Sequence, residues 1–538
     1  MKPVAGIRWF VALCTVALLV AATILAAEPA EDAVYQYRVA VGRQGSARLW
    51  IPPACRQVRG LIFSMENMLE RNWLEDPVIR AAAADEGLGI VYLTGRDPAI
   101  TWDLKPGSAE AMTRMFEDLA QESGYVEIGS APILWMGHSF HGRTWIFAAA
   151  FPERTIAVVP IRTYPLPAAL GFTGIPVCYV VGQTTELPQY DDGRPGDRDF
   201  FWPVVRDTAL ALRMADERNL IGVAVDPGGT HTDWSERQAR FVALFIRKAC
   251  QYRLLDGAAG VGSVRLRAIT SESGWLTDTG LIEPDQHLPA PYREYRGDPK
   301  QAWWFFDEET ARAASTFDGD RRRREKQMPT FVQDGHVLPI GARGDVELKF
   351  EPEGDGRTFQ VVGGFLSRVP PELVGAGAPL GHAPGELRFR KIMGPVEQVS
   401  PDTFRVQFDW QSDRTIMLQV EQPGDIRYRR AVQPAVMPIP ARLTAGRPQI
   451  VTFPRIDNQP AGRESVPLRA TADSGLPVEY YVAVGPAIVE GDHLRLTPIP
   501  IRSRFPVKVI VVALQWGRTI EPRFQSAPPV EQTFLIER

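Results

Sequence analysis

The chain has 538 residues, 45% of them hydrophobic and 23% charged, a balance typical of folded, water-soluble protein. Because one compact hydrophobic core seldom serves so long a chain, we expect about two to four domains. The formal net charge of -4 supplies no general attraction for nucleic acid or anionic lipid, which argues against a nucleic-acid partner.

The first residues have the order of a secretory signal. Lys2 and Arg8 precede an uncharged stretch from Trp9 to Ala27, and acidic residues follow. We therefore expect residues 1–27 to direct export, which would place the protein in the periplasm, at the cell surface or outside the cell. Two outcomes stay open: cleavage of this segment, or its retention as an anchor, since the stretch is nearly long enough to span a bilayer. Only the second outcome would make a membrane a partner.

Three cysteines follow this segment: Cys55, Cys178 and Cys250. They are too few for a disulfide-built scaffold, and their spacing matches no zinc site. Cys178 stands in an apolar run and is expected to be buried. A disulfide between Cys55 and Cys250 is one hypothesis, because both are expected at the same edge of a sheet. We predict neither a metal nor a cofactor.

Strand and helix signals alternate regularly across residues 33–255. Short apolar or β-branched runs predict strands at 35–41, 46–52, 60–65, 89–95, 132–137, 156–162, 176–182 and 220–226. Helical spacing or alanine-rich composition predicts helices near 75–86, 108–122, 201–218 and 235–250, with a further one ending before Phe151. Short apolar strands that alternate with helices indicate a mostly parallel, eight-stranded sheet with helices on both faces.

The rest of the chain has a different character. Residues 256–328 are aromatic-rich with poor periodicity, which predicts an extension packed on the first domain. Short alternating runs separated by Gly and Pro predict a β-sandwich-like module at 329–440 and another at 446–538. The last resembles bacterial Ig-like repeats in the line SGLPVEYYVAVGPAIVEGDHLRLT. Such modules are usually spacers or adhesive units, so we expect no catalysis from them.

The candidate chemistry begins at LWMGHSFHGR, residues 134–143. An apolar strand that ends in Gly137-His-Ser139 and turns at once into a helix would place the serine at the carboxyl edge of a parallel sheet, where such sheets bind ligands. The turn would expose the hydroxyl, and the first amides of the helix could stabilise an oxyanion. The usual G-x-S-x-G pattern has a glycine two residues after the serine, and here His141 takes that place before Gly142.

Chain order supports Ser139 as a nucleophile. A serine hydrolase of this architecture has an acid after a later strand and a histidine after the last one. His231 stands in the glycine-rich loop PGGTHTD that follows the last predicted strand, and Ser235 begins a capping box for the next helix. We therefore predict His231 as the general base, whereas His138 and His141 belong to the turn itself and face wrongly for that role.

The acid of the predicted triad follows the strand at 176–182. The loop QTTELPQYDDGRPGDRD has Glu186 as its first carboxylate, with Asp191 and Asp192 close behind. Glu186 is nearest the strand end and would have the shortest path to His231. Asp191 and Asp192 remain alternatives.

On the GHSFHG turn, the late His231 and the strand order, residues 35–254 resemble an α/β-hydrolase of the secreted, lidless esterase kind. They are similar to polyhydroxybutyrate-depolymerase-like, feruloyl and acetylxylan esterases. The resemblance implies that Ser139 is the nucleophile, His231 its base and Glu186 the orienting acid, with an acyl-enzyme that water resolves. It also implies an oxyanion hole formed by the amides of Phe140 and of a residue near Met65.

Substrate-binding groups are expected around the same edge. Glu66 and Asn67 would lie beside the nucleophile, and four tryptophans fall in or near loops there: Trp73, Trp102, Trp202 and Trp234. The tryptophans would line a pocket for a sugar or aromatic acyl group, or else pack in the core. A carboxylate such as Glu66 near an oxyanion would oppose catalysis unless it is protonated or turned away, which is the argument for a degenerate enzyme.

The sequence therefore predicts an exported serine hydrolase, a carboxylesterase whose substrate is an ester of an extracellular polysaccharide or other polymer. This substrate class follows from export and the accessory modules, and from no pocket residue. The main alternative is a hydrolase-like binding or adhesion protein that has lost activity. A serine peptidase is a third interpretation, since the same triad cleaves amides.

Overall fold

A computed structural model gives the fold of the chain. It describes twelve parts of the sequence, apart from the side chains of residues 201–204 and 318: 34–95, 100, 105–163, 173–182, 201–226, 228–255, 266–278, 287–318, 324–341, 344–371, 376–411 and 415–538. The predicted signal or anchor at 1–27 lies outside these residues.

An eight-stranded sheet forms the centre of the first half of the chain. Its strands are β1 (Tyr37–Val41), β2 (Gly45–Trp50), β3 (Gly60–Met65), β4 (Leu88–Thr94), β5 (Ile133–His138), β6 (Thr155–Ile161), β7 (Val177–Gly182) and β8 (Ile221–Asp226). Their order is β1-β2-β4-β3-β5-β6-β7-β8. Strand β2 is antiparallel to both β1 and β4, and every pairing from β4 to β8 is parallel. The mostly parallel sheet expected from the sequence is therefore present.

The helices of this half are α1 (Glu70–Glu75), α2 (Pro77–Asp85), α3 (Ser108–Ser123), α4 (Trp145–Ala150), α5 (Phe201–Ala215) and α6 (Glu236–Arg253). The predicted capping residue Ser235 does begin α6, and its hydroxyl accepts from the Gln238 N–H at 3.3 Å. The helix predicted at 75–86 begins instead at Pro77, because the Asp76 side chain caps it by accepting from Val78. A separate short helix, α1, precedes it.

The three cysteines do not form the proposed disulfide. Cys55, Cys178 and Cys250 are all buried and free. The Cys55 thiol donates instead to the Gln57 carbonyl, at 3.1 Å. Burial raises the pKa of all three thiols, which disfavours the reactive thiolate form.

The aromatic-rich segment contributes one small sheet and one helix: β9 (Trp275–Thr277), β10 (Ala290–Pro291), β11 (Trp303–Phe305) and α7 (Glu308–Asp318). It packs on the edge of the large sheet at Gly222 of β8, where a Cβ atom would overlap Trp304 and Phe305. Phe317 of α7 stacks on Phe241 of α6, with ring centroids 5.4 Å apart. The aromatic side chains of this segment thus pack at the β8 edge of the eight-stranded sheet.

The rest of the chain is built from short strands. They are β12 (Pro329–Gln333), β13 (His336–Val337), β14 (Val346–Glu347), β15 (Thr358–Gln360), β16 (Val362–Phe365), β17 (Arg388–Met393), β18 (Val396–Gln398), β19 (Thr403–Val406), β20 (Thr415–Gln422), β21 (Ala431–Pro438), β22 (Val451–Thr452), β23 (Gln459–Pro460), β24 (Ser465–Pro467), β25 (Thr471–Ala472), β26 (Glu479–Val484), β27 (Ala487–Glu490), β28 (His493–Leu496), β29 (Val507–Leu514) and β30 (Val530–Glu537). They form several sheets of two to four mainly antiparallel strands. The β-rich character matches the expectation, but the sheets do not form two clear sandwiches, because many strands have only two to four residues.

The two halves share a core. One cluster of buried apolar side chains runs through the large sheet and its helices and continues to Val451, Val509 and Ile536. Trp410, from the C-terminal half, marks one junction: the Arg48 guanidinium lies 3.8 Å from its ring centroid, and the rings of Tyr35 and Tyr92 meet its edge at 6.1 and 6.2 Å. The C-terminal half is therefore packed onto the large sheet rather than tethered to it.

Within the part of the chain that the structure describes, no helix combines the length and apolar character needed to cross a membrane.

Replacing Trp410 by Ala tests whether this junction stabilises the large sheet. The change removes the apolar ring and its cation–π contact with Arg48, so we expect local opening of β1 and β2 to become about 2 kcal/mol easier. Hydrogen-exchange mass spectrometry would then record roughly thirtyfold faster exchange in peptides from β1 and β2. Trp410→Phe, which keeps an aromatic ring, should show a smaller increase. Unchanged exchange in Trp410→Ala would mean that the junction contributes nothing.

Candidate active site

The turn after β5 has the backbone of a strained elbow. Ser139 follows the last residue of the strand and has φ 53°, in the left-handed region that non-glycine residues rarely adopt. A 3-10 segment, Ser139–Thr144, continues directly into α4. The strained conformation projects the serine from the carboxyl edge of the sheet, and such strain is concentrated at functional sites.

Two glycines allow the turn to close. A Cβ atom at Gly137 would overlap the His141 carbonyl, and one at Gly142 would overlap the Thr163 side chain beyond the end of β6. The Thr163 hydroxyl also donates to the Ser139 carbonyl in a short hydrogen bond. The close packing of the turn on Thr163 therefore requires a glycine at position 142. This explains how His141 can occupy the position two residues after the serine, where the G-x-S-x-G pattern has glycine.

The structure brings Ser139 and His231 together. The Ser139 Oγ and His231 Nε2 atoms are 2.8 Å apart, within hydrogen-bond reach. His231 stands in the loop between β8 and α6, and both residues lie at the carboxyl edge of the sheet. A serine and an imidazole in this relation can transfer a proton from the hydroxyl to the ring.

A residue of the elbow, His138, also contacts the loop that contains His231. His138 is fully buried, and its Nε2–H donates to the His231 carbonyl oxygen at 2.7 Å. Burial lowers the pKa of His138 well below its usual range, so the ring is neutral and carries its proton on Nε2. His138 is thus a structural support of the site.

Glu70, at the start of α1, joins the elbow to the loop after β3. One carboxylate oxygen accepts from the His138 N–H at 2.9 Å, and the other accepts from the N–H groups of Asn67 and Met68 at 3.1 and 2.8 Å. The side chain is buried, and this desolvation raises its pKa to about 7 although the three donors act in the opposite direction. Sequence reasoning missed this residue, which reads as an ordinary first-turn glutamate.

The two predicted oxyanion donors stand in the turn after β5 and at the end of the strand beside it. Phe140 is the next residue in the chain, and Met65 ends β3, a parallel neighbour of β5. The Glu66 N–H donates to the Leu93 carbonyl of β4 at 2.8 Å. Because successive amides of a strand point in opposite directions, the Met65 N–H points toward the β5 side.

Glu66 and Asn67 have partners within the chain. The Glu66 carboxylate accepts from the Gly95 N–H at 2.8 Å and from the Gln411 side-chain amide at 2.9 Å. The Asn67 side-chain amide donates to the His138 carbonyl at 3.3 Å. Both oxygens of Glu66 are therefore engaged, one at the end of β4 and one by a residue of the C-terminal half.

The predicted tryptophans have different outcomes. Trp234 is only 9% exposed and packs on the buried Trp73, with ring centroids 3.8 Å apart. Both Trp73, which lies in α1 rather than in a loop, and Trp234 therefore belong to the core rather than to an open pocket wall. Trp202 lies in the first turn of α5, and Trp102 lies outside the described residues.

All three candidates for the orienting acid, Glu186, Asp191 and Asp192, lie outside the described residues as well. Asp233, two residues after His231, is a carboxylate that sequence reasoning did not single out. It is fully buried, and its oxygens accept from Arg430 at 2.9 Å and from Gln238 at 3.0 Å. Burial opposes its ionisation, but Arg430 and Arg162 hold its pKa well below the usual range. Asp233 is therefore an ionised structural anchor of the His231 loop.

Comparisons with known proteins give only weak similarities. No protein-family model matches the sequence, and no curated protein matches it significantly. Solved structures similar to the N-terminal region include a poly(3-hydroxybutyrate) depolymerase from Bordetella parapertussis, at 14% identity over 41% of this chain and 93% of that one, with a TM-score of 0.29. Est1E from Butyrivibrio proteoclasticus has 14% identity over 40% and 96%, with a TM-score of 0.27. A dienelactone hydrolase from Anabaena variabilis has 18% identity over 41% and 98%, with a TM-score of 0.28.

These similarities are too weak to transfer an activity. The strand order, the parallel pairings and the elbow after β5 are the observations that define the N-terminal region as an α/β-hydrolase fold.

Glu70→Gln tests the tie between the elbow and the loop after β3. A carboxyl whose pKa is raised from 4.5 to about 7 by folding stabilises the folded state below pH 4.5, and this contribution is lost as the pH rises through 7. The free energy of unfolding of the wild type, relative to Glu70→Gln, should therefore fall by about 3 kcal/mol between pH 4.5 and 7.

Urea denaturation at several pH values measures this difference, and the other carboxyls are common to both proteins. Parallel stability curves for the two proteins would show that Glu70 does not titrate in this range.

Proposed function

We propose that this protein is a serine hydrolase that cleaves carboxylic esters. The observation that carries the proposal is the 2.8 Å contact between Ser139 Oγ and His231 Nε2, made by a serine with φ 53° at the carboxyl edge of a parallel sheet. Each feature alone occurs in structural roles. Together they supply a nucleophile, a base within reach and a geometry that presents the hydroxyl to a substrate.

In the proposed reaction, His231 Nε2 accepts the Ser139 proton as Oγ attacks the ester carbonyl. This attack forms a bond between Oγ and the carbonyl carbon, and the amides of Phe140 and Met65 stabilise the negative charge that develops on the carbonyl oxygen. The bond between that carbon and the alcohol oxygen then breaks, and the alcohol leaves with the proton from His231, so that the acyl group stays on Ser139. Water, deprotonated by the same ring, then releases the acid and restores Ser139. Glu186 is the first candidate for the acid that orients His231, with Asp191 and Asp192 as alternatives.

Export and the substrate class are also part of the proposal. The N-terminal segment with Lys2, Arg8 and the apolar stretch to Ala27 supports export. An exported hydrolase with a large β-rich half is suited to an ester of an extracellular polysaccharide or other polymer. The alternative of an inactive binding protein depended on Glu66, whose carboxylate oxygens are both engaged by Gly95 and Gln411.

Hydrolysis of p-nitrophenyl acetate by wild type and by Ser139→Ala tests the proposal. Because the nucleophile acts with its base as a unit, we expect kcat/KM to fall by about 10³-fold or more in Ser139→Ala. Ser273→Ala is the matched control, since Ser273 is exposed and donates only locally to the Thr270 carbonyl. An acetyl p-nitroanilide, measured in parallel, separates esterase from peptidase activity.

Equal rates for wild type and Ser139→Ala would contradict the proposed nucleophile. A wild-type protein without turnover of either substrate would favour the binding or adhesion alternative.

A further inference from the structure

We propose that Arg430, in the C-terminal half of the chain, is a positioning residue of the Ser139–His231 site. The inference rests on the proposed function and extends it: the β-rich half completes the hydrolase site instead of serving only as a spacer. Within the described residues, the side-chain hydrogen bonds of Arg430 go to Asp233 and Glu421 and not to Ser139 or the His231 ring. It acts through Asp233, which shares the loop between β8 and α6 with His231.

The contact between Arg430 and Asp233 has the geometry of a strong ion pair. Arg430 Nη1 donates to Asp233 Oδ2 and Nη2 donates to Oδ1, both at 2.9 Å, so the planar guanidinium meets the carboxylate with two parallel hydrogen bonds. The side-chain exposures are 9% for Arg430 and 0% for Asp233. A third bond, from Arg430 Nε to Glu421 Oε1 at 2.8 Å, fixes the guanidinium within its own half.

Arg430 also contacts the beginning of the same loop. Gly228 packs so closely on the Arg430 carbonyl that a Cβ atom there would overlap it. His231 lies between this contact and Asp233. The backbone and the side chain of one arginine therefore hold the loop on both sides of the proposed base.

The remaining bonds of Asp233 make its position depend on several elements at once. Gln238 of α6 and Gln419 of β20 donate to its carboxylate at 3.0 and 3.1 Å, and Arg162, beyond β6, donates to its backbone carbonyl at 2.8 Å. Two of the donors to its carboxylate, Arg430 and Gln419, come from the C-terminal half. Without Arg430 the carboxylate would keep its burial but lose its bidentate partner, which favours a shift of the loop toward water.

A shift of this loop would move His231 Nε2 away from Ser139 Oγ. Displacements of about 1 Å from a productive geometry can cost about 10²-fold in rate. Since Arg430 is proposed to act through Asp233 and not on the substrate, the loss should appear in kcat and leave KM nearly unchanged.

The test compares Arg430→Met with Arg430→Lys and Asp233→Asn in the full-length protein. Arg390→Met is the matched control, because Arg390 pairs with the same Glu421, at 3.0 Å, and adds only its nearby positive charge at Asp233, to which it makes no hydrogen bond within the described residues. Hydrolysis of p-nitrophenyl acetate is measured, and each sample is titrated to completion with a fluorophosphonate to count its competent Ser139 sites. A change that merely unfolds a fraction of the molecules lowers this count and leaves the rate of each remaining site unchanged.

We expect kcat per titrated site to fall about 10²-fold in Arg430→Met, with KM within about threefold of wild type. Arg430→Lys, which keeps the charge but loses the bidentate geometry, should recover part of this loss. Arg390→Met should stay within about threefold of wild type. The kcat of the double variant Arg430→Met/Asp233→Asn should be no lower than that of the slower single variant, because both changes remove the same interaction, the Arg430–Asp233 ion pair.

An unchanged kcat per titrated site in Arg430→Met, or an equal loss in Arg390→Met, would overturn the proposal and leave Arg430 as a docking contact. If Arg430→Met does not fold, kcat per titrated site is compared in Arg430→Lys and Asp233→Asn instead. Wild-type values in both variants would then overturn the proposal. An active wild type with unaffected variants refutes this inference alone, whereas an inactive wild type refutes the proposed function and this inference with it.

Discussion

A buried carboxylate, Asp233, is the point on which the site depends. Its charge lies out of water and is stable only because Arg430, Arg162, Gln238 and Gln419 surround it. These partners come from the loop after β6, from α6 and from the β-rich half. The Asp233 carboxylate is therefore fully hydrogen-bonded only when these separate elements pack together. This packing orders the loop that presents His231 to Ser139.

Local periodicity was sufficient to predict the large sheet. Strands such as β3 and β5 are continuous apolar runs of about the right length, and Ser235 begins α6 as its capping pattern indicates. Prediction failed where the outcome depends on tertiary packing. The Cys55–Cys250 disulfide is absent because each thiol is buried separately, and the C-terminal strands are too short and irregular to form two clear sandwiches.

The residues of the site also differ in whether the sequence could predict them. Ser139 and His231 could be located because each follows a strand, and the carboxyl ends of parallel strands share one edge. Asp233 and Arg430 could not be paired from the sequence, since 197 residues separate them and neither stands in a recognisable motif. Glu70 gave no signal either, because its partners are backbone N–H groups of the elbow and the loop after β3, which any residue types could supply.

The central claim is that Ser139 is a nucleophile activated by His231. The most direct measurement is peptide mapping by mass spectrometry after brief treatment of the full-length protein with a fluorophosphonate. If Ser139 is the nucleophile, we expect a single phosphonate adduct, on the peptide that contains Ser139, and a strongly slowed reaction when His231 is replaced by Asn. An adduct on another residue, or no adduct on the folded wild-type protein, would contradict this claim.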